Sequence, residues 1–219
     1  MRNRFKIMLS IIIVLIILFV LVLISLNFQT ENKEPLYKVL DEINNYKYTL
    51  KDRDTNIMKD VFNNLKDTLS ESEIDYELYA EYLSELFIID LFTLNNKDNK
   101  YDVGGKEYVL PEVLDNYILN VEDTLYKYIV DINSEDRDEL PIVSGITKNK
   151  IEDTKYTYND IEYNGYIVSL SWEYEKDLEY PTEGLVTLIK KDDKLYIVSY
   201  EGVEWKWKEE SKDYFMLIN

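Results

Sequence analysis

The chain has 219 residues, 46% hydrophobic and 31% charged, with 43 acidic residues against 25 basic ones and neither Cys nor His. Length and balance exclude collagen-like, disulfide-stapled and low-complexity classes and point to one domain, two at most. Without Cys or His there is no thiol nucleophile, no Ser-His-Asp triad and no Cys/His zinc site, so no catalytic set, cofactor or metal is expected.

Residues Ile7 to Leu26 form a run of 20 in which 17 are Ile, Leu, Val or Phe. As a helix the run is roughly 30 Å long, the thickness of a bilayer's hydrocarbon core. Summed residue by residue, its insertion is favourable by on the order of 5 to 10 kcal/mol. A secretory signal peptide is the competing reading, but its apolar part is usually about 7 to 15 residues and ends at small residues. This run is longer and exits through Leu26, Asn27, Phe28, Gln29 and Thr30. Arg2, Arg4 and Lys6 precede it, while Glu31, Lys33 and Glu34 follow, which places the amino terminus on the cytoplasmic side. The expected layout is a cytoplasmic tip and uncleaved transmembrane signal anchor over 1–27, a juxtamembrane linker over 28–34 and an extracytoplasmic domain over 35–219.

All 43 acids lie beyond Leu26, as do all but three of the bases. Such a surface repels nucleic-acid phosphates and anionic lipid head groups, so no nucleic acid is expected as a partner. The abundance of Lys, Asn, Ile and Tyr is also the usage of an AT-rich bacterial genome.

From Pro35 the spacing of Leu36, Leu40 and Ile43 predicts a helix, after which Tyr46, Tyr48 and Leu50 alternate briefly. A second helix follows Asp54 as N-cap, with Met58, Val61, Phe62, Leu65 and Leu69 on its dry face. Ser70 and Glu73 have capping-box spacing, with Ser72 as the alternative cap, ahead of a third helix of about 20 residues. Its stripe is Tyr76, Tyr79, Ala80, Leu83, Leu86 and Phe87, and Leu86 to Phe92 is apolar all round except at Asp90. An all-round apolar stretch is buried, and a carboxylate inside a core must be paired, hydrogen-bonded or neutralised. Asp90 is therefore the candidate site acid, with a Lys, Arg or Tyr hydroxyl as its expected partner.

Asn95 to Lys100 reads as a turn-rich loop, and Gly104-Gly105 as a break before a short strand over Lys106 to Leu110. Neither Asp52-Asp54-Asn56 nor Asp98 and Asp102 completes a calcium loop, because the glycine or the closing Glu is missing. Pro111 opens a predicted fourth helix through Leu114, Tyr117, Ile118, Val121, Leu125, Tyr128, Ile129 and Ile132. The charged run Ser134 to Glu139 then reads as a solvated loop.

Beyond Pro141 the period changes to 2. Ile151 to Tyr158 is predicted to pair with a strand whose apolar face is Tyr166, Val168, Leu170, Trp172 and Tyr174, through a connection tightest at Asn164-Gly165. Leu185 to Ile189 and Leu195 to Tyr200 follow as two more strands of an antiparallel meander. The fold class is therefore α+β, with amphipathic helices covering a sheet of three to four strands.

This order of elements, together with the ending Leu185-Val186-Thr187-Leu188-Ile189-Lys190-Lys191-Asp192-Asp193-Lys194-Leu195-Tyr196-Ile197-Val198-Ser199-Tyr200, resembles the cone-shaped α+β domains named for nuclear transport factor 2. The resemblance implies a pocket or an interaction face rather than an activity. Enzymatic members place Asp and His inside the cone, and this chain has no His. Members with one amino-terminal membrane crossing include assembly components of bacterial conjugation and secretion machines, which share this layout.

The candidate ligand or partner residues are Asp90, Trp172, Trp205 and Trp207, the last two extending the final strand. The leading expectation is a non-catalytic, membrane-anchored extracytoplasmic domain that binds another envelope protein or holds a complex together. The alternative is a small-ligand-binding or weakly hydrolytic cone with its pocket near Asp90.

Overall fold

In the computed structural model, which describes residues 37–202, three helices pack against a four-stranded antiparallel sheet, an α+β fold. The predicted membrane crossing, its linker and Trp205 and Trp207 lie outside the described residues. Among those described, no helix is long and apolar enough to cross a membrane.

The first predicted helix is instead a hairpin of β1 (Val39–Ile43) and β2 (Tyr48–Lys51). Three apolar residues at helical spacing do not make a buried stripe: Leu40 is 58% exposed, and the buried positions are the alternating Tyr48 and Leu50 of β2. A turn with Lys47 at φ 59° closes the hairpin.

Helix α1 (Asn56–Ser70) buries Met58, Val61, Phe62 and Leu65 as its spacing requires. Its N-cap is Thr55, whose hydroxyl accepts from the Met58 N–H at 3.3 Å, rather than Asp54. Asp54 is buried and accepts from the Lys51 N–H at 2.6 Å, closing the turn before the helix. Helix α2 (Tyr76–Phe92) starts at neither Ser70 nor Ser72. Ser70 turns back to donate to the Asp67 carbonyl, and Asp75 caps α2 by accepting from the Glu77 and Leu78 N–H groups. From Leu83 to Phe92 every residue of α2 is buried, as the unbroken apolar run implied.

The predicted strand over Lys106 to Leu110 is a turn of 3-10 helix over Lys106–Tyr108, after which Val109 bridges to Ile197. Pro111 opens a second such turn (Pro111–Val113), and α3 (Leu114–Asp123) ends well before Ile132. Tyr126, which lies off the predicted stripe, explains the early stop. Turning the chain at Thr124 buries this ring and lets its hydroxyl donate to the Leu91 carbonyl at 2.8 Å, while Tyr128 is left 77% exposed.

The sheet is the predicted meander, in the order β3 (Val143–Tyr158), β4 (Ile161–Tyr174), β5 (Glu183–Lys191), β6 (Lys194–Gly202). Its helix-facing side carries Val168, Leu170, Trp172, Val186, Leu188, Leu195, Ile197 and Tyr200, all buried. Each such large apolar side chain removed from water contributes about 1.5–3 kcal/mol. The tip between β3 and β4 is Asn159-Asp160, both left-handed, rather than Asn164-Gly165, which lies inside β4. Gly165 is needed for space: a Cβ there would sit 1.9 Å from the Leu188 carbonyl oxygen of β5. The glycine that read as a turn marks a close approach of two strands.

Candidate functional site

Asp90 lies on the last turn of α2, 6% exposed, and the folded-back loop 94–105 brings its partners to it. The Lys97 ammonium, 1% exposed, is 2.5 Å from Oδ1, and the Gly105 N–H donates to Oδ2 at 2.7 Å. Burial alone raises the pKa of such a carboxyl; the charges of Lys97 and Lys51 and the Gly105 N–H outweigh it and hold the group well below the usual carboxylate range. Gly105 can reach it because its backbone is left-handed at φ 72°, and a Cβ there would meet the Phe87 ring at 2.6 Å. Two tyrosines lock the same loop. Tyr117 donates to the Gly104 carbonyl at 2.6 Å, and the Tyr126 hydroxyl accepts from the Gly104 N–H at 3.2 Å.

Around this pair the loop is tied on every side. Arg53 holds Asp102 at 2.6 Å and Asp98 at 3.4 Å, and its guanidinium lies 4.3 Å from the centre of the Tyr37 ring. Glu107 accepts from both the N–H and the hydroxyl of Thr49. Arg137, inside the run read as solvated, donates to the carbonyls of Val130, Leu94, Asn95 and Lys97. Chemically the cluster is a closed ionic lock: its carboxylate is ionised and occupied, so it is neither a free base nor a proton donor at neutral pH.

Trp172 is 2% exposed, its ring 5.0 Å from Phe92, and its Nε1–H donates to the Tyr174 hydroxyl at 2.8 Å. Phe92 in turn touches Tyr200, and Phe87 touches both Tyr200 and Tyr117. The space beneath the sheet beside Asp90 is thus filled by rings. Asp90 and Trp172 share one core; they do not line a common opening.

Two features are absent from the sequence reading. Glu85, on the β3 side of α2, is buried, and burial pushes its carboxyl up to about 7, with Glu81 adding to the shift and Lys148 opposing it. Lys148 of β3 pairs with Glu81, and among the described residues Glu85 forms no ion pair of its own. The second is an open groove of about 600 Å³, lined by Asp153, Lys155, Asn164, Tyr166 and Lys190, where the sheet runs on past Val168. Lys190 is held there over the Tyr76 ring, 3.6 Å from its centre, and 3.2 Å from Asp193. No motif marks either feature, because each depends on which strand lies across which helix.

The chain matches no family model, no curated protein and no solved structure.

Proposed function

We propose that the chain is a non-catalytic, membrane-anchored extracytoplasmic domain of a bacterial cell envelope, which binds another envelope protein or holds a complex together. The single observation that carries the non-catalytic part is the state of Asp90: both carboxylate oxygens are engaged, by Lys97 and by Gly105, inside a core filled with aromatic rings. The apolar run from Ile7 to Leu26 behind Arg2, Arg4 and Lys6 supports the anchor and its orientation. Helices followed by a four-stranded meander support a cone-shaped fold of the nuclear transport factor 2 kind, used as an interaction face. Among the described residues, the groove beside Tyr166, which lies away from Asp90, favours a small-ligand reading.

The test of the anchor is a tag fused after Asn219 in whole cells. External protease should remove the tag while the cell interior stays intact, and the mature chain should retain its first 27 residues. A protected tag, or a mature chain that starts beyond Thr30, overturns the proposal.

A further inference from the structure

We infer that β3 pairs with the β3 of a second copy of this chain, antiparallel and centred on Thr154. The two edges of the sheet are unlike. At β6 the edge is engaged over Leu195–Ile197, with the Leu110 N–H donating to the Ile197 carbonyl at 2.9 Å and the Leu195 N–H donating to the Tyr79 hydroxyl at 3.3 Å. At β3, β4 takes one side of the whole strand, and no strand or hydrogen-bonded segment of the described chain takes the other side over Lys150–Tyr158. A strand of 16 residues is long for an edge, and its outward N–H and C=O groups form a template for another strand. The ladder to β4 is irregular between Val143 and Gly145 and again between Lys148 and Lys150; from there to Tyr158 it runs unbroken.

Charge order and ladder length together choose the occupant and the register: an axis at Tyr156 leaves only Thr154–Tyr158 to pair before the strand ends. In a two-fold antiparallel pair, residues equally far from the axis face each other on one side of the sheet. An axis at Glu152, Asp153 or Lys155 sets that residue against its own charge. An axis at Ile151 runs the ladder into the irregularity at Asn149 in both copies. With the axis at Thr154, Asp153 faces Lys155 twice, Glu152 faces Tyr156, Lys150 faces Tyr158, Ile151 faces Thr157, and no like charges meet. Lys150, Glu152 and Lys155 have side chains more than half exposed, so the segment is open to a partner. Pairing continues the two sheets as one of eight strands.

Because the chain has no Cys, single cysteines report this register directly in the full-length protein in detergent micelles or nanodiscs. Facing Cα atoms in an antiparallel pair are about 4.5–5.5 Å apart, within the span of a disulfide. Under mild oxidation Thr154→Cys should form a symmetric covalent dimer. Lys150→Cys or Tyr158→Cys alone should not, since like positions are then offset by roughly 26 Å along the strand, but the two mixed should crosslink to each other. Added to Thr154→Cys, the change Asp153→Lys should cut the crosslink yield several-fold, and Lys155→Asp in the same chain should restore it. Circular dichroism confirms that each variant is folded. A folded Thr154→Cys chain that stays monomeric, or Lys150→Cys chains that crosslink to themselves as readily, overturns the inference.

Discussion

The Asp90 end of the domain and the β3–β4 arm are built on opposite principles. Around Asp90 the charges are tied down: Asp90 and Lys97 pair inside the core, and half-buried Arg53 and Arg137 clamp the surrounding loop through Asp98, Asp102 and backbone carbonyls. Along β3 the charges are equally dense but exposed, and their ion pairs, such as Lys155 with Glu162 at 2.6 Å, stand in water. A matched charge without solvent fixes structure, whereas one in solvent contributes little stability and stays free to meet a partner. The first region explains how the fold holds, and the second is where association is to be sought.

The largest expected effect lies at the buried pair. Asp90→Ala leaves the Lys97 ammonium uncompensated at 1% exposure and should cost about 3–5 kcal/mol, read as a lower denaturation midpoint of the full chain. The double change Asp90→Leu with Lys97→Met should recover most of that loss. If Asp90→Ala melts like the unaltered chain, the lock is not structural and the contrast between the regions fails.

Glu85 sharpens the comparison, because it is a buried charge that lacks its match. Burial lifts its carboxyl from the ordinary glutamate value of 4.5 to about 7, so the native state binds the proton more tightly than the unfolded chain. Stability from this group is present in full below about pH 4.5 and is lost as the pH rises through about 7. Glu85→Gln should remove that slope and stabilise the protein at pH 8 by up to about 3 kcal/mol, with little change at pH 4.5. Denaturant titrations of both chains at the two pH values check it; equal pH dependence contradicts the assignment.

The smallest effect belongs to the arm. Lys155→Ala should change the stability of the isolated protomer by less than about 1 kcal/mol, since its partner Glu162 is also exposed. A larger loss in denaturant melts at low protein concentration would mean that the arm is bonded as tightly as the core.

Legibility in the sequence follows the same division. The meander was readable because Val168, Leu170 and Trp172 alternate against one covered face, a purely local signal. Asp90 was readable as the one acid in an apolar stretch, whereas Lys97 sits among Asn and Asp residues that read as solvent-facing and becomes buried only when the loop folds back. Glu85 escaped because it belongs to the polar side of α2 by spacing, and only β3 lying across that side buries it. The hairpin of β1 and β2 escaped for a related reason: its pairing is between segments, while helical spacing is visible within one.

The glycines carry a final lesson about where this chain tolerates change. Five of the six stand where an added methyl group would press within 3.0 Å of a neighbour, while the tips of the long hairpins are given to Asn159, Asp160, Asp192 and Asp193. Gly105 serves both a left-handed bend and close packing, while Gly104, Gly165 and Gly184 serve packing alone. Substitution at Gly104, Gly105, Gly165 and Gly184 is therefore closed by space, whereas the tips admit residues that accept a left-handed backbone, Asn, Asp and Gly.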